Sequence, residues 1–192
     1  MRLAPLALAL LLAAGPAHAE GERPATGLLL QSVLGVQGSV IGATQLGSFV
    51  SLAPSVRLGG IWERFALSAS LGYSSVGVLD GQYVATHSLI LGPHAMPFLW
   101  RSPDQRARLY LLGGLEFALG FDAGSGGSTK VRPGGAILLG LGGHYAVGRQ
   151  LLVGVEVGWR TELFSGSLGG SNRLVATSNI YGGVSFAFVA GS

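Results

Sequence analysis

The stretch Asn179-Ile180-Tyr181-Gly182-Gly183-Val184-Ser185-Phe186-Ala187-Phe188 decides how the rest of the chain is read. Successive side chains of a strand point to opposite faces. Ile180, Val184, Phe186 and Phe188 therefore share one face with Gly182, while Asn179, Tyr181, Gly183, Ser185 and Ala187 share the other. One face is apolar and ends on two aromatics; the other is small and polar. That dyad suits a strand with lipid on one side and an enclosed interior on the other.

The same ending resembles the C-terminal assembly signal of bacterial outer-membrane β-barrels. Gly183 precedes the aromatic pair Phe186 and Phe188, with Tyr181 upstream. The sequence departs from that pattern in one respect: Val189-Ala190-Gly191-Ser192 follow the last aromatic. The resemblance implies recognition by the barrel-assembly machinery during insertion.

The opposite end carries an export signal. Met1-Arg2 gives a positive start, Leu3 to Ala14 is mostly apolar, and Ala17-His18-Ala19 supplies an A-x-A cleavage site. Residues 1–19 read as a secretory signal peptide and 20–192 as the mature barrel, beginning at Glu20. The apolar run is shorter than the roughly 20 residues that a spanning helix needs. With no cysteine in the chain, disulfides, thiolate metal sites and a lipidated cysteine are all excluded.

Composition narrows the class further. The chain is 48% hydrophobic and only 11% charged, too apolar for disorder and poor in ordinary surface charge. Beyond the leader no apolar run is long enough for a helical span. The best helical rival, residues 134–147, is weakened by its glycines and His144. The 33 glycines show no three-residue period, so the chain is not collagenous. The formal charge of +3, one lower once Arg2 leaves, comes from scattered basic residues and gives no nucleic-acid surface.

Turn-rich breaks predict about eight strands, near 26–37, 49–62, 65–78, 83–100, 108–121, 135–147, 151–164 and 173–188. In the seventh, Val153, Val155, Val157 and Trp159 alternate with Gly154, Glu156, Gly158 and Arg160. The fifth sets Leu109, Leu111, Leu115 and Phe117 against Tyr110, Gly114, Glu116 and Ala118. A soluble sandwich also alternates, but it loads its polar faces with Lys, Glu and Thr. Here those faces are mostly Gly, Ala and Ser, as a narrow interior requires. Tight breaks at 62–65 and 148–150 contrast with longer Gly/Ser-rich breaks after the first, fifth and seventh segments. Short periplasmic turns and longer outer loops are the habit of outer-membrane barrels.

Taken together, the pattern resembles the small eight-stranded outer-membrane barrels, the class of the OmpA transmembrane domain, OmpX and OmpW. The resemblance implies an all-β, closed, antiparallel up-and-down barrel in the cell outer membrane, in contact with outer-membrane lipid and lipopolysaccharide. It implies no cofactor. The last predicted strand reaches almost to the final residue, so the expectation is a barrel without the peptidoglycan-binding domain of full-length OmpA proteins.

The charges singled out on the small-residue face are Arg57, Glu116, Glu156, Arg160 and Glu162. Isolated charges are costly in such an interior, so opposite charges there should pair or find water. The cluster reads as an ion-pair plug; a narrow polar pathway or a hidden acid/base site is the alternative. Small interior positions, among them Gly59, Ala66, Gly114, Gly140, Gly142 and Gly154, suggest room for water or an apolar ligand.

Other chemistry is weak. His87 and His94 are seven apart and point oppositely on a regular strand, although a bulge at Pro93 and Pro97 could bring them together. His144 falls on the inner face as a hydrogen-bonding group. No nucleophile stands beside an obvious base and orienting acid. Lys130 and Arg132, in the third outer loop, could touch lipopolysaccharide phosphates. The expected function is non-enzymatic: membrane integrity, or a minor passive conduit for small or apolar molecules. A surface recognition or adhesion barrel is the alternative. A lipid-modifying barrel enzyme and a soluble, lipocalin-like periplasmic barrel stand behind it. Oligomeric state is not legible.

Overall fold

The computed structural model describes residues 26–39, 50–79, 83–123, 129–168 and 171–191. The expected signal peptide, 1–19, lies outside them. Nine stretches of strand follow in order: β1 (Gly27–Ser39), β2 (Val50–Leu52), β3 (Ser55–Ile61), β4 (Phe65–Leu79), β5 (Tyr83–Arg101), β6 (Ala107–Ala123), β7 (Thr129–Ala146), β8 (Leu151–Leu168) and β9 (Ser171–Ala190). Each stretch from β3 to β9 pairs antiparallel with the next. β1 pairs with β9 from Leu28↔Ala190 to Ser39↔Asn179, which closes the sheet on itself. Closure removes the unpaired edges that an open sheet would present.

β2 and β3 are two pieces of one wall strand, so the barrel has eight. Both pair with β1 in a single register, Val36↔Leu52 and Val33↔Ser55. Pro54, which has no N–H to donate, interrupts the ladder between them. Its carbonyl still accepts from Tyr73 N–H at 2.9 Å.

Short connections gather at one end. Trp62–Arg64 joins β3 to β4, with Trp62 N–H donating to the Phe65 carbonyl at 2.8 Å. Val147–Gln150 joins β7 to β8. Between β5 and β6, Gln105 takes φ 59°, and Gln105 N–H donates to the Ser102 carbonyl at 2.8 Å. Ser102 Oγ and Arg106 N–H both donate to Asp104, and these bonds hold its carboxyl below the usual carboxylate range.

Pairing at the other end runs further than the sequence suggests. β6 and β7 pair as far as Ala123↔Thr129, and β8 and β9 as far as Leu168↔Ser171. The Gly/Ser-rich breaks expected after the fifth and seventh strands are therefore largely hairpin arm. Small residues accept extended backbone as readily as turn geometry once a partner strand supplies the ladder. Lys130 and Arg132 belong to β7, paired with Asp122 and Gly120, rather than to a loop. The irregularity in β5 also falls elsewhere than expected. Its register against β6 shifts between Phe98 and Trp100, while its register against β4 is unbroken through Pro93 and Pro97.

Burial follows the two-residue period around the wall. Leu28, Leu30, Leu34 and Val36 face outward, while Leu29, Gln31, Val33 and Gln37 are buried. The same alternation puts Val155, Val157 and Trp159 outside, with Glu156 and Arg160 inside. No Asp, Glu, Lys or Arg appears among the described outward side chains of the wall. In water such a surface would form one apolar patch far beyond the few hundred Å² usual for soluble proteins. It is the face of a membrane-spanning barrel. Trp62 stacks on Phe65 at the short-turn end, the end at which Trp100 and Phe188 are also exposed. Tyr73 stacks on His87 towards the other end.

Candidate functional site: the filled lumen

The interior has a floor. At the short-turn end Leu29, Ile61, Ala66, Met96, Leu152, Ala187 and Val189 pack together, each at most 2% exposed. Val189 comes from the segment past the final aromatic. Its backbone N–H donates to the Gln150 carbonyl at 2.7 Å. The overshoot beyond Phe188 thus continues the wall for two more residues and contributes to the floor.

Two ion pairs stand above that floor. Arg57 on β3 reaches Glu156 on β8 with both terminal nitrogens, at 2.5 and 2.9 Å. Tyr110 Oη donates to the same carboxylate at 2.8 Å, and Gln31 Nε2 does so at 3.1 Å. Gln31 Nε2 also lies 3.1 Å from His144 Nε2. A buried carboxylate with four hydrogen-bonding contacts, two from a guanidinium fork, is the arrangement that offsets its desolvation. The second pair joins Arg160 on β8 to Glu116 on β6. Arg160 Nε and one terminal nitrogen each lie 3.1 Å from a different carboxylate oxygen. His94 Nε2 adds a 2.7 Å contact to Glu116, and the Arg160 guanidinium lies over the Tyr181 ring.

A third layer lies towards the other end. Gln37 Nε2 donates to Ser74 Oγ at 2.7 Å, and Ser74 Oγ donates to Glu162 Oε1 at 2.9 Å. The five expected lumen residues are therefore all inside and at most 6% exposed. Four of them form the two ion pairs; Glu162 joins neither and bonds to Ser74 instead.

Several of the small interior positions are seats for side chains of other strands. The Tyr110 ring occupies the space where a Cβ on Gly142 would sit, and His94 fills that of Gly114. Tyr181 lies against Gly140 and Gly158, and His144 against Gly154. Glycine on one strand lets a large side chain from a nearby strand lie flat on the wall. Of the six small positions singled out in the sequence, Gly114, Gly140, Gly142 and Gly154 are occupied in this way.

Sequence reading missed several members of this interior. Gln31 and Gln37 sit on the inward face of a leucine-rich strand, and that position was their signal. Ser70, His94 and Glu116 also meet, but Ser70 Oγ and Glu116 Oε1 both contact His94 Nε2. A nucleophile–base–acid line needs the two partners on opposite ring nitrogens, so this geometry is not one. His87 faces outward against Tyr73 while His94 is buried, so the two do not converge. In the C-terminal segment, Tyr181 is buried, Gly183 is backed by the β1 backbone at Gly35, and Phe186 and Phe188 are exposed on the outer face.

No protein-family model matches the chain, and no curated protein matches its sequence. Solved structures do. Neisserial surface protein A superposes with a TM-score of 0.63 at 15% identity, over 88% of this chain and 100% of that one. The outer membrane protein OprG of Pseudomonas aeruginosa gives 0.56 at 12% identity, over 89% and 99%. The outer membrane protein AlkL, solved in lipid bilayers, gives 0.50 at 15% identity, over 92% and 95%. The chain has the fold of the small outer-membrane barrels. The eight-strand closure and outward apolar belt expected from the sequence are those of this fold.

Proposed function

We propose that the protein is an exported outer-membrane barrel whose role is structural, a contribution to membrane integrity made by a wall with a closed interior. The observation that carries this reading is the filled lumen: the apolar floor beneath the pairs Arg57–Glu156 and Arg160–Glu116. The same interior weighs against a passive conduit and against a hidden acid/base site. Charges already paired and desolvated have no vacancy for a solute. Lipid and lipopolysaccharide surround the outward leucines and aromatics in this reading, with the short turns in the periplasm. Residues 1–19 direct export, and Tyr181, Gly183, Phe186 and Phe188 are read by the barrel-assembly machinery.

Cell fractionation tests location. The protein should sediment with outer membranes and resist extraction without detergent; release by osmotic shock would favour the soluble periplasmic barrel.

A further inference from the structure

The short-turn rim carries charge of one predominant sign. Arg64 lies in the first turn, Arg106 in the second and Arg149 in the third, and Arg101 ends β5 beside the second. Arg64 and Arg149 are exposed, and Arg101 and Arg106 are partly so. Glu63 and Asp104 are the acids of the described turns; Asp104 accepts from Ser102 and from backbone N–H groups and feels the charge of Arg106. Arg106 and Arg149 make contacts within the protein, so what marks the rim is the excess of four arginines over two acids. No lysine is present in these turns.

We propose that this rim binds the anionic headgroups of phospholipids in the leaflet next to the short turns. Placement points to a lipid surface rather than a compact partner. The three turns are spread around the barrel, and between them lie the exposed aromatics Trp62, Phe65 and Trp100 that mark an interface depth. Cationic side chains just beyond an aromatic girdle sit at the level of headgroup phosphates, with their stems along apolar surface. Arginine suits this role because its planar fork engages two phosphate oxygens at once. Beneath the rim Leu29, Ile61, Met96, Leu152 and Val189 pack together, with the buried Arg108 guanidinium over the Phe98 ring beside them. This inference rests on the membrane-barrel reading.

The test uses the full mature chain folded into phosphatidylcholine vesicles, with or without about a third phosphatidylglycerol. Anionic lipid should raise the thermal unfolding midpoint of the wild type, and about 0.5 M salt should remove most of the rise. The variant Arg64→Gln/Arg106→Gln/Arg149→Gln should lose most of that increment while still folding in phosphatidylcholine. Glu63→Gln, which removes an acid, should enlarge the increment, so the proposal stays testable if the triple variant folds poorly. Equal increments in all three proteins would overturn it. Inorganic phosphate added to phosphatidylcholine vesicles should not reproduce the effect; if it does, the rim holds free phosphate rather than lipid. Failure to fold into vesicles of either composition would instead count against the membrane-barrel reading.

Discussion

Ser74 on β4 and Glu162 on β8 belong to opposite walls of the eight-strand barrel, four strands apart in either direction, yet Ser74 Oγ donates to Glu162 Oε1 at 2.9 Å. A direct bond between opposite walls crosses the lumen at that depth. The ion pairs and the apolar floor then occupy the barrel towards the short-turn end. The interior behaves as a core with a polar middle.

Removing one partner of a buried pair strands the other. Arg57→Ala should cost roughly 3–5 kcal/mol, less where water enters the vacated space. Arg57→Met/Glu156→Leu should recover much of that loss, because no unpaired charge remains. Urea unfolding in lipid vesicles measures both; equal losses would show that the pair itself, rather than the stranded charge, sets the energy.

Gly142→Val should displace the Tyr110 ring and with it the hydrogen bond to Glu156. Overpacking of this kind costs about 1–3 kcal/mol. Gly113→Ala is the control. Nothing lies within contact of a Cβ there, so its effect should stay within about 0.5 kcal/mol. The same unfolding assay compares them, and indistinguishable midpoints would mean that the glycines are not seats.

Facing can be read residue by residue along β8. Single cysteines at Val155, Glu156 and Val157, carrying a spin label, should alternate in collisions with a lipid-soluble quencher: high, low, high. Equal accessibility at the three positions would contradict the wall assignment.

Phe186→Asp/Phe188→Asp places two charges on the lipid face near the short-turn end. Each should cost on the order of 1 kcal/mol at that depth. Loss of the aromatic ending should stall assembly besides. The expected outcome is little protein in floated outer membranes and degradation in the periplasm. Normal abundance would show that Phe186 and Phe188 are not the assembly signal.

Much of this wall was legible in the sequence. A period of two with lipid outside separates Val155 from Glu156 with no knowledge of neighbouring strands, and the facing of Arg57, Glu116, Glu156, Arg160 and Glu162 followed from the same period. Which charges meet was not legible. Arg57 and Glu156 are 99 residues apart and approach only because the wall closes through β1 and β9. Glycine also misled. Gly142 looks like empty interior until register sets Tyr110 beside it. Ser165-Gly166-Ser167 looks like a loop until β9 pairs with it. In both cases the deciding information belongs to the neighbouring strand.

The closed lumen is tested most directly by single-channel conductance of the purified, folded protein in planar bilayers. The wild type should show no steady conductance, and neither should Arg160→Ala, which leaves Glu116 its contact with His94 and keeps the floor beneath the ion pairs in place. Steady conductance in the wild type, unchanged by Arg160→Ala, would contradict the filled interior and restore the open conduit.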